Sequence, residues 1–240
     1  MANFCVPLTA VRAVDLATAG GKGANLGELI AAGFDVPHGF VVTTDAYRHA
    51  VGPGPHEQAS LGSLDVPPDV AEAIAQAYAA LGSPAVAVRS SATAEDLPGA
   101  AFAGQQDTYL GIVGERQLID AVRDCWASLW TPRAISYRDR LGIDAATVAI
   151  AVVVQRLVPA DHAGVMFTAD PVTGARDRVV IDANPGLGEA VVAGLVTPDH
   201  AVLNTAGEVL EHRAGRREVV MTARTDGGTE TGTGASTPSL

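Results

Sequence analysis

Aromatic residues are scarce in this sequence, 5% of 240 positions, and cysteine occurs only twice. With alanine plentiful, the shortage of aromatics predicts helices that pack through small side chains around a core of Val, Leu and Ile. Cys5 and Cys125 stand far apart, suit no metal-ligand spacing and cannot make a disulfide framework, so a reducing compartment is expected. No apolar run reaches the roughly 18 residues of a membrane span. The start, "MANFCVPLTAVRAVDL", also lacks a basic segment followed by an apolar one, so no secretory signal is read and a cytoplasmic protein is expected. Basic residues are few as well: 16 Lys and Arg against 27 Asp and Glu give a formal net charge of -11. Most of such a surface repels a nucleic-acid backbone or an anionic membrane, so neither is expected as a partner, and an anionic ligand would need local positive groups. What is abundant is apolar: 48% hydrophobic residues are ample for one large domain or two small ones.

Along the chain, "GGKGANLGELIAAGF" places Leu26, Leu29 and Ile30 on one helical face and stops at Gly33, a left-handed cap. "VPHGFVVTTDAY" reads as a strand ending at Thr43 or Thr44, either of which caps a short helix from Asp45. Residues 51–66 read as a Gly/Pro/Ser loop, and Val70, Ile74, Ala77, Tyr78 and Leu81 as a helix closed by "GSP". "AVAVR" is an apolar strand, followed by a long polar loop and a second strand, "DTYLGI". Residues 115–130 form an amphipathic helix through Leu118, Ile119, Val122, Trp126 and Leu129, and "PRAISYRDRLG" begins another with proline at its first position. From about residue 145 the pattern becomes strand-like: "TVAIAVVVQRLV", "AGVMFTAD", "RVVIDAN" and "HAVLNTAGEVLEHR", with near-continuous apolar runs that predict strands covered on both faces. The tail, residues 226–240, has no apolar period and is expected as loop or disordered. No internal repeat is found.

Two glycine clusters invite a nucleotide reading, yet neither matches a common fingerprint. "AGGKGAN" has no Ser or Thr after its lysine, and "GLGEAVVAG" has Val191 where a dinucleotide motif needs its third glycine. At Lys22 two readings stay open: a loop of backbone N–H groups and one cation at a helix N-terminus that holds phosphate, or a surface turn with a solvated lysine. Arg89 ends an apolar strand and is followed by Ser90, Ser91 and Thr93. Its guanidinium suits two parallel hydrogen bonds to a phosphate, or an internal ion pair with Glu95 or Asp96. "VVVQRLVPA" is either a plain core strand or a strand whose end offers backbone N–H and C=O groups to an adenine edge, with Gln155 beside it.

In series, "GGKGANLGEL", "VPHGFVVTTDAY", "VRSSATAEDLPGAAFAGQQDTYL", "CWASLWTPRAISYR", "VVVQRLVPADHAGVMFTADPVTG" and "NPGLGEAVVAG" resemble the N-terminal ATP-binding domain of the phosphoenolpyruvate synthase and pyruvate phosphate dikinase family, which includes the rifampicin phosphotransferases. The similarity runs from residue 8 to about 215. It implies an α+β, ATP-grasp-like fold in which two lobes clamp ATP, incomplete at the C-terminus. The implied domain is 1–225, with an N-lobe to about 145 and a strand-rich part over 146–225. It also implies a reaction: ATP phosphorylates a histidine on a separate swivelling domain, which passes the phosphoryl group to an acceptor. By motif, Lys22 and Arg89 are the expected catalytic contacts to the ATP phosphates. Gly104 and Thr108 match the loop that closes over the phosphate chain, and Gln155 matches the hinge beside adenine. The long polar loop is then a phosphate cradle whose hydroxyls and amides act as donors.

The match is incomplete. The family's late strand, usually written Gln-Asp-Ile-Glu-Trp, whose carboxylates hold magnesium, has no counterpart here, so the ligands of a Mg ion are expected outside this chain. The Thr- and Gly-rich segment ending in the phosphorylated histidine is also missing, as is an acceptor domain. His38, His49, His56, His162, His200 and His212 are read as surface or structural. The sequence therefore leaves open a fragment or split subunit of a phosphotransferase, a non-catalytic ATP-binding or regulatory module, and a remnant that binds nothing.

Overall fold

The computed structural model describes residues 3–52, 54, 56–93, 108–144 and 148–233, in two compact units, Met1–Leu157 and Val158–Leu240. The first unit runs β1 (Cys5–Pro7), α1 (Leu16–Ala31), β2 (Gly39–Val42), α2 (Thr44–Val51), α3 (Gln58–Gly62), α4 (Pro68–Ala80), β3 (Val86–Ala92), β4 (Thr108–Ile112), α5 (Glu115–Ser128), α6 (Pro132–Leu141) and β5 (Ile150–Arg156). Its sheet has the order β1-β2-β5-β3-β4 with antiparallel neighbours throughout. The fold class is α+β.

β5 lies at the centre of this sheet, and its six residues from Ile150 to Gln155 are buried. Because side chains alternate along a strand, Ile150, Val152 and Val154 go to one face and Ala151 and Val153 to the other. The first face joins Phe40, Val42, Val86 and Val88 beneath α2 to α5. The second joins Val41, Leu8 and Val11 beneath α1, which contributes Ala19 and, in part, Leu26 and Ile30. Leu29, expected on that same stripe, is 42% exposed. The Val-rich run of β5 is therefore read correctly as a strand covered on both faces.

Local signals act where their chemistry predicts. Thr43 caps α2, its hydroxyl accepting the Ala46 N–H at 3.3 Å. Thr131 caps α6 in the same way, and Gly142 closes that helix in the left-handed region at φ 65°. α5 buries Leu118, Val122 and Trp126, one apolar stripe at helical spacing. Three expectations need correction. Residues 58–62, expected as loop, form α3, held by the burial of Leu61 rather than by any long apolar period. The others are the tail segment and the coverage of the later strands, below.

The second unit consists of β6 (His162–Phe167), β7 (Arg178–Pro185), α7 (Glu189–Val192), β8 (Asp199–Asn204), β9 (Val209–Arg213), β10 (Val220–Ala223) and β11 (Thr229–Gly232). β6 to β9 form an antiparallel meander, and β10 and β11 a separate hairpin. The hairpin includes part of the segment expected as loop: Gly227 and Gly228, at φ 102° and 78°, make the turn, and main-chain pairing adds the polar strand Thr229–Gly232 to Val220–Ala223. Asp199 and Arg217 form a buried ion pair at 3.1 Å, with Asp199 also accepting the Gly215 N–H. Unlike β5, β6 and β9 are largely exposed, with Met166 at 63% and Val209 at 63%. An apolar run alone does not distinguish a strand with two covered faces from one whose partner layer is thin. No helix of the described residues is long and apolar enough to cross a membrane.

Leu118 is fully buried on α5. Leu118→Ala is expected to cost about 2 to 5 kcal/mol by transfer and cavity terms, read as a lower urea midpoint at unchanged slope.

Candidate functional site

Strand register decides which of the singled-out residues meet. Arg89 on β3 pairs with Val153 on one side and with Thr108 on the other, and Val153 pairs in turn with Val41. Directly opposed residues share a face, so Val41, Val153, Arg89 and Thr108 form one transverse row. The adjacent row on the same face is Gly39, Gln155 and Ala87. Since Val41 and Val153 pack in the cluster beneath α1, Arg89, Thr108 and Gln155 all stand on the face that α1 covers.

α1 carries Lys22 over that face through close approach at glycine. A Cβ on Gly23 would lie 3.3 Å from Val41 Cγ2 and 3.8 Å from Val153 Cγ2, so the residue after Lys22 sits directly over the transverse row. Gly20 breaks α1: its φ of 67° and ψ of 175° interrupt the helix, which starts afresh with Gly21, Lys22 and Gly23 in its first turn. Ser91 fills the break. Its hydroxyl donates to Ala19 O at 2.9 Å and accepts the Gly23 N–H at 3.2 Å. A Cβ on Gly20 would come within 2.0 Å of Ser91 O, so only glycine fits. From the other side, the Thr44 hydroxyl donates to Ala17 O at 2.8 Å. The Lys22 helix is thus tied to β3 through Ser91, and the segment before the break is tied to α2 through Thr44.

This assigns the serines differently from the sequence reading. Ser91 is a structural clip, not a donor to a ligand, and Thr93 donates its hydroxyl to Ala149 O at 3.1 Å. Ser90 is buried on the opposite face. The strand end beside Gln155 is also more committed than expected: the Arg156 N–H donates to His38 O at 2.8 Å and the Leu157 N–H to Ala85 O at 2.9 Å. Those two N–H groups are not on offer to a base. Gln155 is 6% exposed, and its Nε2 donates to Pro37 O at 3.2 Å, which locks the amide while its face stays that of Arg89. Gly104, Glu95 and Asp96 lie outside the described residues. Of the candidates, Arg89, Thr108 and Gln155 share one face of the sheet, and Lys22 belongs to the helix that covers it. Gly20 and Ser91 hold that face together, and no local pattern signals the pair, because the Gly-Gly step before Lys22 and the Ser-Ser step after Arg89 meet only in the folded chain.

The profile of the pyruvate phosphate dikinase AMP/ATP-binding domain matches residues 16–55 and 54–237. The chain belongs to this family. A phosphoenolpyruvate synthase of Aeropyrum pernix is 47% identical over 232 residues, covering 83% of this chain and 28% of the relative. A rifampicin phosphotransferase of a Streptomyces species is 45% identical over 254 residues, covering 95% and 29%. A probable phosphoenolpyruvate synthase of Methanothermobacter thermautotrophicus is 46% identical over 247 residues, covering 90% and 36%. The chain therefore spans about a third, or less, of the length of these relatives.

The Ser91 clip makes a direct prediction. Ser91→Ala leaves the Ala19 carbonyl and the Gly23 amide without their partner and is expected to cost about 1 to 3 kcal/mol. Amide hydrogen exchange at Gly21, Lys22 and Gly23 should accelerate more than exchange in α5.

Proposed function

We propose that this chain binds ATP, with the phosphate chain on the α1 face at Lys22, Arg89 and Thr108 and the adenine toward Gln155. The observation that supports this most is the transverse register of Arg89 and Thr108, one row from Gln155, beneath the helix whose first turn carries Lys22. In chemical terms, a guanidinium grips two phosphate oxygens in parallel. The ammonium adds a point charge, and the first turn of a helix adds oriented N–H dipoles. In a protein of net charge -11, this local convergence of Lys22 and Arg89 is what an anionic ligand requires. Gly104 is included on motif alone.

The reading extends to an ATP-grasp-like arrangement, two lobes closing on ATP, and to service as the ATP-binding part of a phosphotransferase. In that scheme the phosphoryl group goes to a histidine on a separate swivelling domain, and from it to pyruvate, a rifamycin or another acceptor. The work of the present residues is to bind and orient the triphosphate. Among the described residues no group of three or more His, Cys, Asp or Glu side chains is placed to hold a metal ion. Magnesium beside a nucleotide takes one or two carboxylates together with phosphate oxygens, and its protein ligands are expected outside this chain. A second reading is a non-catalytic ATP-binding module.

If Arg89 makes the charge-assisted contact, Arg89→Ala should weaken ATP binding by roughly ten- to a hundred-fold, about 1.5 to 3 kcal/mol, in calorimetry. Arg89→Lys should recover only part of that loss, because a point charge lacks the fork. Equal affinities for all three proteins would remove Arg89 from the site.

Turnover tests whether these residues only bind ATP. The purified chain is expected to release no AMP or phosphate from ATP, and to form no acid-labile phosphohistidine, when incubated with magnesium and ATP labelled on the β- and γ-phosphates. Sustained AMP release that vanishes in a Lys22→Ala, Arg89→Ala double variant would instead make this chain a complete catalyst.

A further inference from the structure

The reverse face of the first unit's sheet carries a trough of about 440 Å³, lined by β1, β2, the last turns of α4 and the end of β5. Register again sets its geometry. Cys5 pairs with Val42, Pro7 with Phe40, Phe40 with Val154 and Arg156 with Val86. All of these residues share the face opposite to that of Arg89 and Gln155. The facing wall is α4, where Ala77 and Ala80 leave the trough open and Leu81 closes its end.

Its polarity is one-sided. The lining includes Arg156, His38 and Thr9 but no carboxylate, in a chain where Asp and Glu outnumber Lys and Arg by 27 to 16. Burial pushes the Cys5 thiol up to about 12, so it adds no negative charge at neutral pH. The Arg156 guanidinium is positioned by one of its five donors, Nη2, which meets Leu81 O at 3.2 Å at the C-terminal end of α4. The remainder of the lining is apolar, chiefly Pro7, Phe40 and the α4 side chains.

We propose that this trough is a binding site for a small amphipathic carboxylate, its apolar body against Phe40, Ala77 and Ala80 and its carboxylate on Arg156. The volume falls within the range of small-molecule sites, and one cation in an apolar trough selects a ligand of matching polarity. The site does not depend on ATP binding, since it occupies the other face of the sheet.

The probe is 2-naphthoate, titrated into the full chain by its own fluorescence and by ligand-observed NMR, with 2-naphthamide as the neutral isostere. Naphthoate should saturate one site and bind roughly ten-fold more tightly than the amide, the difference expected of one charge-assisted hydrogen bond. Arg156→Gln should erase that difference. Ala80→Trp, at an exposed helix position, should fill the trough and abolish binding of both compounds while leaving the circular dichroism spectrum unchanged. Excess ATP should leave naphthoate affinity as it was. Equal binding of acid and amide, insensitivity to Ala80→Trp, or displacement by ATP would each overturn the site. An Arg156→Gln protein that melts earlier yet keeps the acid–amide difference would make Arg156 a cap for α4 only, and would overturn it too.

Discussion

A serine hydroxyl in a helix break governs the geometry of the α1 face. Ser91 reaches the backbone of α1 because Gly20 has no side chain and adopts a φ of 67°, and its two hydrogen bonds, to Ala19 O and from Gly23 N, bridge the break. The helix that carries Lys22 then begins over β3, within van der Waals reach of the row that contains Arg89. A longer side chain at position 20 or 23 would lift α1 from the sheet. The two cationic residues would no longer share one surface.

The sheet beneath separates two chemistries by strict alternation. Along β5, Val153 and Gln155 face α1, while Val152, Val154 and Arg156 face the helices of the other side. Neighbouring residues such as Gln155 and Arg156 thus belong to different surfaces, one beside the proposed nucleotide site and one in the trough behind it. A one-residue slip of β5 would exchange them, but the buried valines on both faces and the pairings to β2 and β3 oppose such a slip.

Much of the fold was legible because its signals are local. The helices at 68–80 and 115–128 follow from apolar spacing, the Thr43 cap from its chemistry, the start of α6 from proline at its first position, and β5 from a run of branched apolar residues. α3 and β11 were not legible, because a single buried leucine and the polar segment Thr229–Gly232 leave little apolar period to read. Coverage of β6 and β9 was overestimated for a related reason: a strand's pattern records its own composition, not the presence of a layer above it.

For the site the same division holds. Lys22, Arg89, Thr108 and Gln155 could be named from ordered sequence motifs, because each motif keeps its residue types and spacing along the chain. That Arg89 and Thr108 are cross-strand partners, and that Ser91 serves Gly20 rather than a ligand, required contacts between residues as many as 72 positions apart. Residue type and local period are properties of the chain itself, so the sequence alone determined the elements and the candidate groups. Register, the approach of α1 and the pairing of His38 with Arg156 across two strands depend on which distant segments pack together, and tertiary structure alone decided them.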